Sequence, residues 1–164
     1  MTSFKLFEPH IITLINSYKI YLYKYEAKYG DMDVLLSQPQ FSRLRILHAS
    51  KRFTDAGLTH VPYLTALICD WNDNFTDTGL AHLPQLRTLY CGSWNNNFTD
   101  KGLAHLPHLT TLNCGPKNNF TDAGLAYLPH LTILLYNKNQ SNFTDATLAS
   151  IPYVYHWGFL EELD

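Results

Sequence analysis

The chain has 164 residues, 46% hydrophobic and 16% charged, with a formal net charge of −2. That is enough apolar material for one continuous core and too short for two ordinary domains, and with no basic stripe there is no electrostatic footprint for nucleic acid or an anionic membrane. Three cysteines, an odd count in a chain whose opening MTSFKLFEPHIITLI lacks a signal-peptide pattern, point to reduced thiols in a cytoplasmic protein and away from a disulfide framework.

In chain order, Ile11, Leu14, Ile15, Tyr18, Leu22 and Tyr25 recur near the helical period, which predicts an amphipathic helix ending at Gly30 and then a short helical segment around Val34 to Ser37. FSRLRILHAS supplies a first strand, with Phe41, Leu44 and Leu47 at core positions and Ala49 where cysteine recurs later. Beyond it the sequence repeats. NFTD stands at 74–77, 97–100, 119–122 and 142–145, and RFTD at 52–55. Aligned on Phe53, Phe75, Phe98, Phe120 and Phe143, the spacings are 22, 23, 22 and 23 residues, the period of a solenoid whose units bury their apolar faces against their neighbours. Residues 1–40 lie outside the pattern. They are expected to form a helical cap over the open end of a repeat domain spanning 41–164.

Each unit reads as a short helix, a proline and a short strand. The Thr before Asp-x-Gly-Leu suits a helix N-cap, and the Asp complements the positive helix end. Leu80 with Leu83, Leu103 with Leu106 and Leu125 with Leu128 share a helix face. Pro62, Pro84, Pro107, Pro129 and Pro152 are expected to stop the helix. Alternation at Leu89 and Cys91, or Leu112 and Cys114, is the period of a strand with one buried face. In the last unit the same offsets fall on Trp157 and Phe159. Gly57, Gly79, Gly102 and Gly124 recur inside the helix phrase, where each costs about 1 kcal/mol relative to alanine, so close backbone packing is expected there. Every NFT is also a glycosylation acceptor, at Asn74, Asn97, Asn119 and Asn142. A turn followed by a cap accounts for the same residues without a glycan.

The stretch LPHLTTLNCGPKNNFTDAGLAYL, residues 106–128, resembles the leucine-rich repeat, specifically its cysteine-containing subfamily with the consensus L-x-x-L-x-L-x-x-C-x-x-[IL]-T-D-x-G-L-x-x-L. The match covers roughly residues 41–164. The chain departs from that consensus in having Asn72, Asn95, Lys117 or Gln140 where the subfamily has cysteine, with cysteine at the last strand leucine instead. The resemblance implies an α/β fold: a right-handed leucine-rich-repeat solenoid of about five to six repeats, with a parallel sheet on one face and short helices on the other.

His60, His82 and His105 share one repeat position, with Tyr127 next, and stacked strands would set them about 5 Å apart. A metal-dependent enzyme built on this row is one reading. Each histidine, however, lies between core-facing positions and should point outward, with no recurring carboxylate to orient a ligand. Cys69, Cys91 and Cys114 stack on the inner face without CxxC spacing, so they read as buried apolar thiols and not as metal ligands. Neither a catalytic motif nor a cofactor site is read. The open sheet face carries the column His48, Ile68, Tyr90, Asn113 and Leu135, with Trp71 and Trp94 in the following loops. An apolar, aromatic solvent face of this kind marks partner sites, and the tryptophans either rim it or shield the strand ends. The expected function is therefore a non-enzymatic scaffold that binds another protein or peptide on the open face, without nucleic acid or membrane. The last unit, SIPYVYHWGFLEELD, leaves an edge that could self-associate. An alternative, implied by the resemblance to substrate-recognition subunits of F-box ubiquitin ligases, is an adaptor whose N-terminal segment docks a second partner.

Overall fold

The computed structural model describes residues 19–21, 32–49, 51–70, 72–92, 97–115, 118–140 and 142–157. Among the described residues seven strands form one parallel sheet in chain order: β1 Lys19–Tyr21, β2 Ile46–His48, β3 Ala66–Ile68, β4 Thr88–Tyr90, β5 Thr111–Asn113, β6 Ile133–Asn137 and β7 Tyr153–Trp157. Short helices alternate with them: α1 Met32–Leu36, α2 Asp55–Leu58, α3 Asp77–Leu80, α4 Asp100–Leu103, α5 Asp122–Leu125 and α6 Asp145–Ala149. Each strand pairs with the next, so the protein is an α/β stack of repeated strand–helix units, the arrangement of a repeat solenoid. Among the described residues no helix is long and apolar enough to cross a membrane.

One leucine per strand fixes the core. Leu47, Leu67, Leu89, Leu112 and Leu134 are in register with one another and wholly buried, each contributing about 1.5–3 kcal/mol by leaving water. Phe53, Phe75, Phe98 and Phe120 fill the entry to each helix, and Leu58, Leu80, Leu103 and Leu125 pack from the helical side. The helices are a single turn, shorter than the proline positions suggest. After α3, for example, the chain continues in i→i+3 bonds, His82 N–H to Gly79 O, Leu83 N–H to Leu80 O and Leu86 N–H to Leu83 O. Pro84 falls in this tighter stretch, where a missing donor leaves no gap in an α-helical ladder.

The repeated phrase acts between units as well as within them. Thr121 accepts the Ala123 N–H at its hydroxyl oxygen, capping α5, while its own N–H (2.9 Å) and hydroxyl (2.6 Å) donate to the Asp100 carboxylate of the preceding unit. The same two-pronged contact joins Thr54 to Asp33, Thr76 to Asp55, Thr99 to Asp77 and Thr144 to Asp122. A Cβ on Gly57, Gly79, Gly102 or Gly124 would overlap the carboxylate of Asp33, Asp55, Asp77 or Asp100. The glycine is the space that the preceding aspartate occupies. Asparagines add a further tie: the Asn74 side-chain amide donates to Lys51 O, and that of Asn97 to Asp73 O.

Both ends depart from the sequence reading. The helix expected to run through Tyr18 and Leu22 is interrupted at Lys19–Tyr21, which forms β1 and pairs in parallel with β2. Pairing there satisfies backbone groups that would otherwise line an open edge, and KIY is rich in strand-forming residue types. The rest of that expected helix lies outside the described residues. The shorter helix around Val34 is present as α1, which buries Met32, Leu35 and Leu36 and supplies Asp33 to the first Thr–Asp contact. At the other end β7 begins directly after Pro152, so Val154 and not Trp157 aligns with the core leucine Leu134. The run YVYHW is aromatic and β-branched, and it pairs over five residues with β6. Its unit also has Thr147 in place of the glycine. The cap of α6 shifts accordingly: Thr144 sits at φ −84°, ψ 154°, against −127° and 177° at Thr121, and accepts from Thr147 N–H. No residue of α6 is buried, and a cleft of about 360 Å³ opens between α5 and α6, walled by Leu125, Leu128, Leu131 and Ile151 with Asp122 and Thr147 at its polar side.

In an ordinary helix Gly→Ala stabilises by about 1 kcal/mol; here Gly124→Ala is expected to destabilise, because its methyl group meets Asp100. Asp100→Ala alone should cost about 2 kcal/mol, the value of bonds to a charged acceptor. In urea unfolding the double variant should be less destabilised than the sum of the singles by ~1 kcal/mol or more. Simple additivity would refute the steric pairing of Gly124 with Asp100.

Candidate functional site

The outer residues of the strands form two rows on the open face. The register brings His48, Ile68, Tyr90, Asn113 and Leu135 together as consecutive partners, as the alternation predicts. All five are half-buried. Strand spacing of about 4.8 Å makes neighbouring side chains touchable by one ligand. The column continues onto Tyr155, which pairs with Leu135 and is 55% exposed. Sequence reasoning missed this tyrosine because the repeat offsets place the last strand three residues later. Trp71 and Trp94 lie outside the described residues.

The column is held by the buried row behind it. Ala49, Cys69, Cys91 and Cys114 donate their backbone N–H to the carbonyls of Ile68, Tyr90, Asn113 and Leu135 at 2.8–3.0 Å. The three thiols reinforce the same carbonyls, Cys69 to Tyr90, Cys91 to Asn113 and Cys114 to Leu135, at 3.3, 3.4 and 3.5 Å. All three cysteines are free and buried. Burial pushes the thiols up, Cys114 to about 12 and Cys69 further, where the Asp70 charge adds to burial. Neither a nucleophile nor a metal-binding thiolate forms readily under those conditions.

Asp70, two residues beyond the end of β3, sets its carboxylate against Gly92, two residues beyond the end of β4. It accepts the Gly92 N–H, and a Cβ on Gly92 would overlap it. Burial raises its pKa, opposed by the Gly92 bond and by the nearby positive charge of His48. The Asn113 side-chain oxygen is buried without a hydrogen-bond partner among the described residues. Along the other margin of the strands Arg45 lies over the Tyr63 ring at 5.5 Å and donates to Tyr63 O. Thr65, Thr110 and Thr132 bond the carbonyls of Arg45, Arg87 and Thr110. Two residues beyond Asn113 and Leu135 the outward alternation ends. Gly115 is buried, and so is Asn137, which accepts the Asn139 N–H in a turn instead of facing outward.

His60, His82 and His105 are exposed on the helical side, with Tyr127 53% exposed beside them. Among the described residues no group of three or more His, Cys, Asp or Glu side chains is placed to hold a metal ion. Asn72, one of the residues standing in the consensus cysteine position, is wholly buried: it donates to Phe53 O and accepts from the N–H groups of Asn74 and Phe75. In a later unit Asn118, one position further along the repeat, accepts the Phe120 N–H and donates to Gly115 O. An asparagine side chain suits such a turn, because buried backbone beneath the helix entry needs both a donor and an acceptor.

The thiols should be inert in the native state. At pH 8 a chromogenic disulfide reagent is expected to label the three cysteines more than ~100-fold more slowly in buffer than in urea. Rapid native labelling of even one would show that the cysteine row is not closed. A scan against protein-family models finds no match for this chain, and a search of curated proteins finds none either.

Proposed function

We propose that this chain is a non-enzymatic interaction scaffold: a right-handed leucine-rich-repeat solenoid, capped by residues 1–40, that binds a segment of another protein on the open face of its sheet. The observation that carries the reading is the column His48, Ile68, Tyr90, Asn113 and Leu135, extended by Tyr155, in which aromatic, aliphatic and amide groups stand in register on neighbouring strands. The first five are each anchored through a backbone bonded on both sides and a core leucine beside it in sequence, and Tyr155 stands on the last strand beside Val154. A surface of this kind binds by complementarity without rearranging. Trp71 and Trp94 belong to its rim in this reading, and the setting is cytoplasmic. Exposed Tyr153 and Tyr155 on β7 extend the proposal to self-association through the last unit.

A pull-down from lysate with the wild-type chain beside a Tyr90→Ala, Leu135→Arg variant tests the proposal, with circular dichroism establishing that both are folded. The variant is expected to release a partner that the wild type holds, and Tyr90→Ala alone to weaken that complex by about 2 kcal/mol. Equal retention by both proteins would place the interaction elsewhere.

A further inference from the structure

We infer that the flank of the stack on which helices lead into strands docks, in mildly acidic medium, against the opposite flank of a second copy of this chain. The surface is distinct from the open face, and the inference goes beyond that reading.

Charge is sorted between the two flanks. The connections from each helix to the next strand, residues 37–45, 59–65, 81–87, 104–110, 126–132 and 150–152, contain no aspartate or glutamate. They carry three arginines, Arg43, Arg45 and Arg87, and five histidines, His60, His82, His105, His108 and His130, all exposed. Backbone bonds align these groups. His60, His82 and His105 each donate a backbone N–H to the carbonyl of Gly57, Gly79 or Gly102 at 3.2 Å. His108 and His130 stand two residues before Thr110 and Thr132, which are joined by the Thr132 N–H bond to Thr110 O, and units on this side are about 4.8 Å apart. The other titratable groups here are Tyr63, over which Arg45 is stacked, Tyr127, and Tyr153 at the start of β7.

The opposite flank, where strands lead into helices, holds the carboxylates. Asp33, Asp55, Asp77, Asp100, Asp122 and Asp145 stand in first helical turns, and Asp73 is exposed in the loop before α3. Lys51, Arg52, Lys101 and Lys138 lie among them, which leaves this flank net negative among the described residues. Each aspartate bonded to a threonine uses two acceptor sites, and an ionised carboxylate has about four.

Both flanks belong to one stack and repeat every 22 or 23 residues, so a copy displaced sideways meets the first unit against unit. A foreign polyanion need not share that period, and a second copy does. Histidine gains its charge as pH falls from about 8 to 5, whereas aspartate stays ionised down to about 4. Bonds from Thr144 keep Asp122 ionised lower still. At neutral pH the first flank offers only its three arginines, and protonation of the five histidines more than doubles that charge. Because the two faces are unlike, each contact leaves one of each free, and copies add in a row instead of closing as a pair.

Sedimentation velocity of the full chain in low salt, with circular dichroism alongside, is the test. The folded chain is expected to reach at least about twice its pH 7.5 weight-average mass at pH 5.5, and to dissociate again in about 0.5 M salt. Isoelectric clumping would instead peak near the pI of about 6.4 and fall again at lower pH. His105→Glu, His108→Glu reverses one flank and Asp73→Lys, Asp145→Lys the other. Each variant alone should stay monomeric in acid, while an equimolar mixture associates through the two intact flanks. His105→Arg, His108→Arg should associate already at neutral pH. A mass independent of pH, association that accompanies loss of the circular-dichroism signal, or a mixture no larger than its components would overturn the proposal. Association that survives both reversed variants would place the contact elsewhere, on β7, and equally overturn it. A chain monomeric in acid that binds polyglutamate or an oligonucleotide through these histidines would make a foreign polyanion the occupant, against the second copy.

Discussion

The structure depends on one contact, an aspartate at the start of one helix holding the backbone and hydroxyl of the threonine that starts the next. A strand–helix unit of 22 or 23 residues cannot bury its own core, so stability comes from the interfaces between units. Leucines and phenylalanines supply the driving force, but hydrophobic burial has no direction and tolerates sliding. The Thr–Asp pair has direction. It fixes each helix entry against the previous one, and the glycine two residues beyond each of these aspartates lets the carboxylate of the preceding unit into place. Threonine serves both sides of the joint because its hydroxyl can donate to the carboxylate and accept from the helix at once.

Where one member of this set changes, the stack loosens. Thr147 replaces the glycine in the last unit, the cap moves from the second to the third amide of the helix, and the cleft between α5 and α6 opens. Phe143 is no longer fully buried as its four counterparts are, and instead meets the edge of the Tyr136 ring at 5.8 Å. Asp122, which still holds Thr144 by two bonds, has its pKa lowered by them. Its contribution is therefore complete above the ordinary carboxylate value of about 4 and is lost as pH falls through the lower folded value.

Much of this was legible in the sequence because the repeat displays each constraint several times. The buried leucine row, the threonine caps and the outward column could be read from periodicity, since strand geometry leaves no other register for a one-sided core. The glycines were marked as sites of close packing, but the object packed against them, an aspartate from the preceding unit, is a contact between residues about 24 apart and leaves no local signature. The buried Asn72 was invisible for a similar reason: its partners Phe53, Asn74 and Phe75 are chosen by how the turn folds under the helix. The ends misled because they are single copies. Helical spacing in residues 11–25 is interrupted by β1, and the offsets that hold for four units overshoot β7 by three residues, where proline is followed at once by a strand.

The same rigidity bears on function. Side chains on the open face project from strands whose carbonyls receive both amides and thiols from the preceding unit, so the face is set before any partner arrives. The most direct measurement of whether the Thr–Asp joints hold the stack is native-state hydrogen exchange at the amides of Thr76, Thr99, Thr121 and Thr144. The first three should exchange as slowly as the amides of the central strands, only through global opening, and Thr144 faster. Exchange of all four at the rate of unprotected loop amides would contradict the account, leaving the hydrophobic ladder alone to align the units.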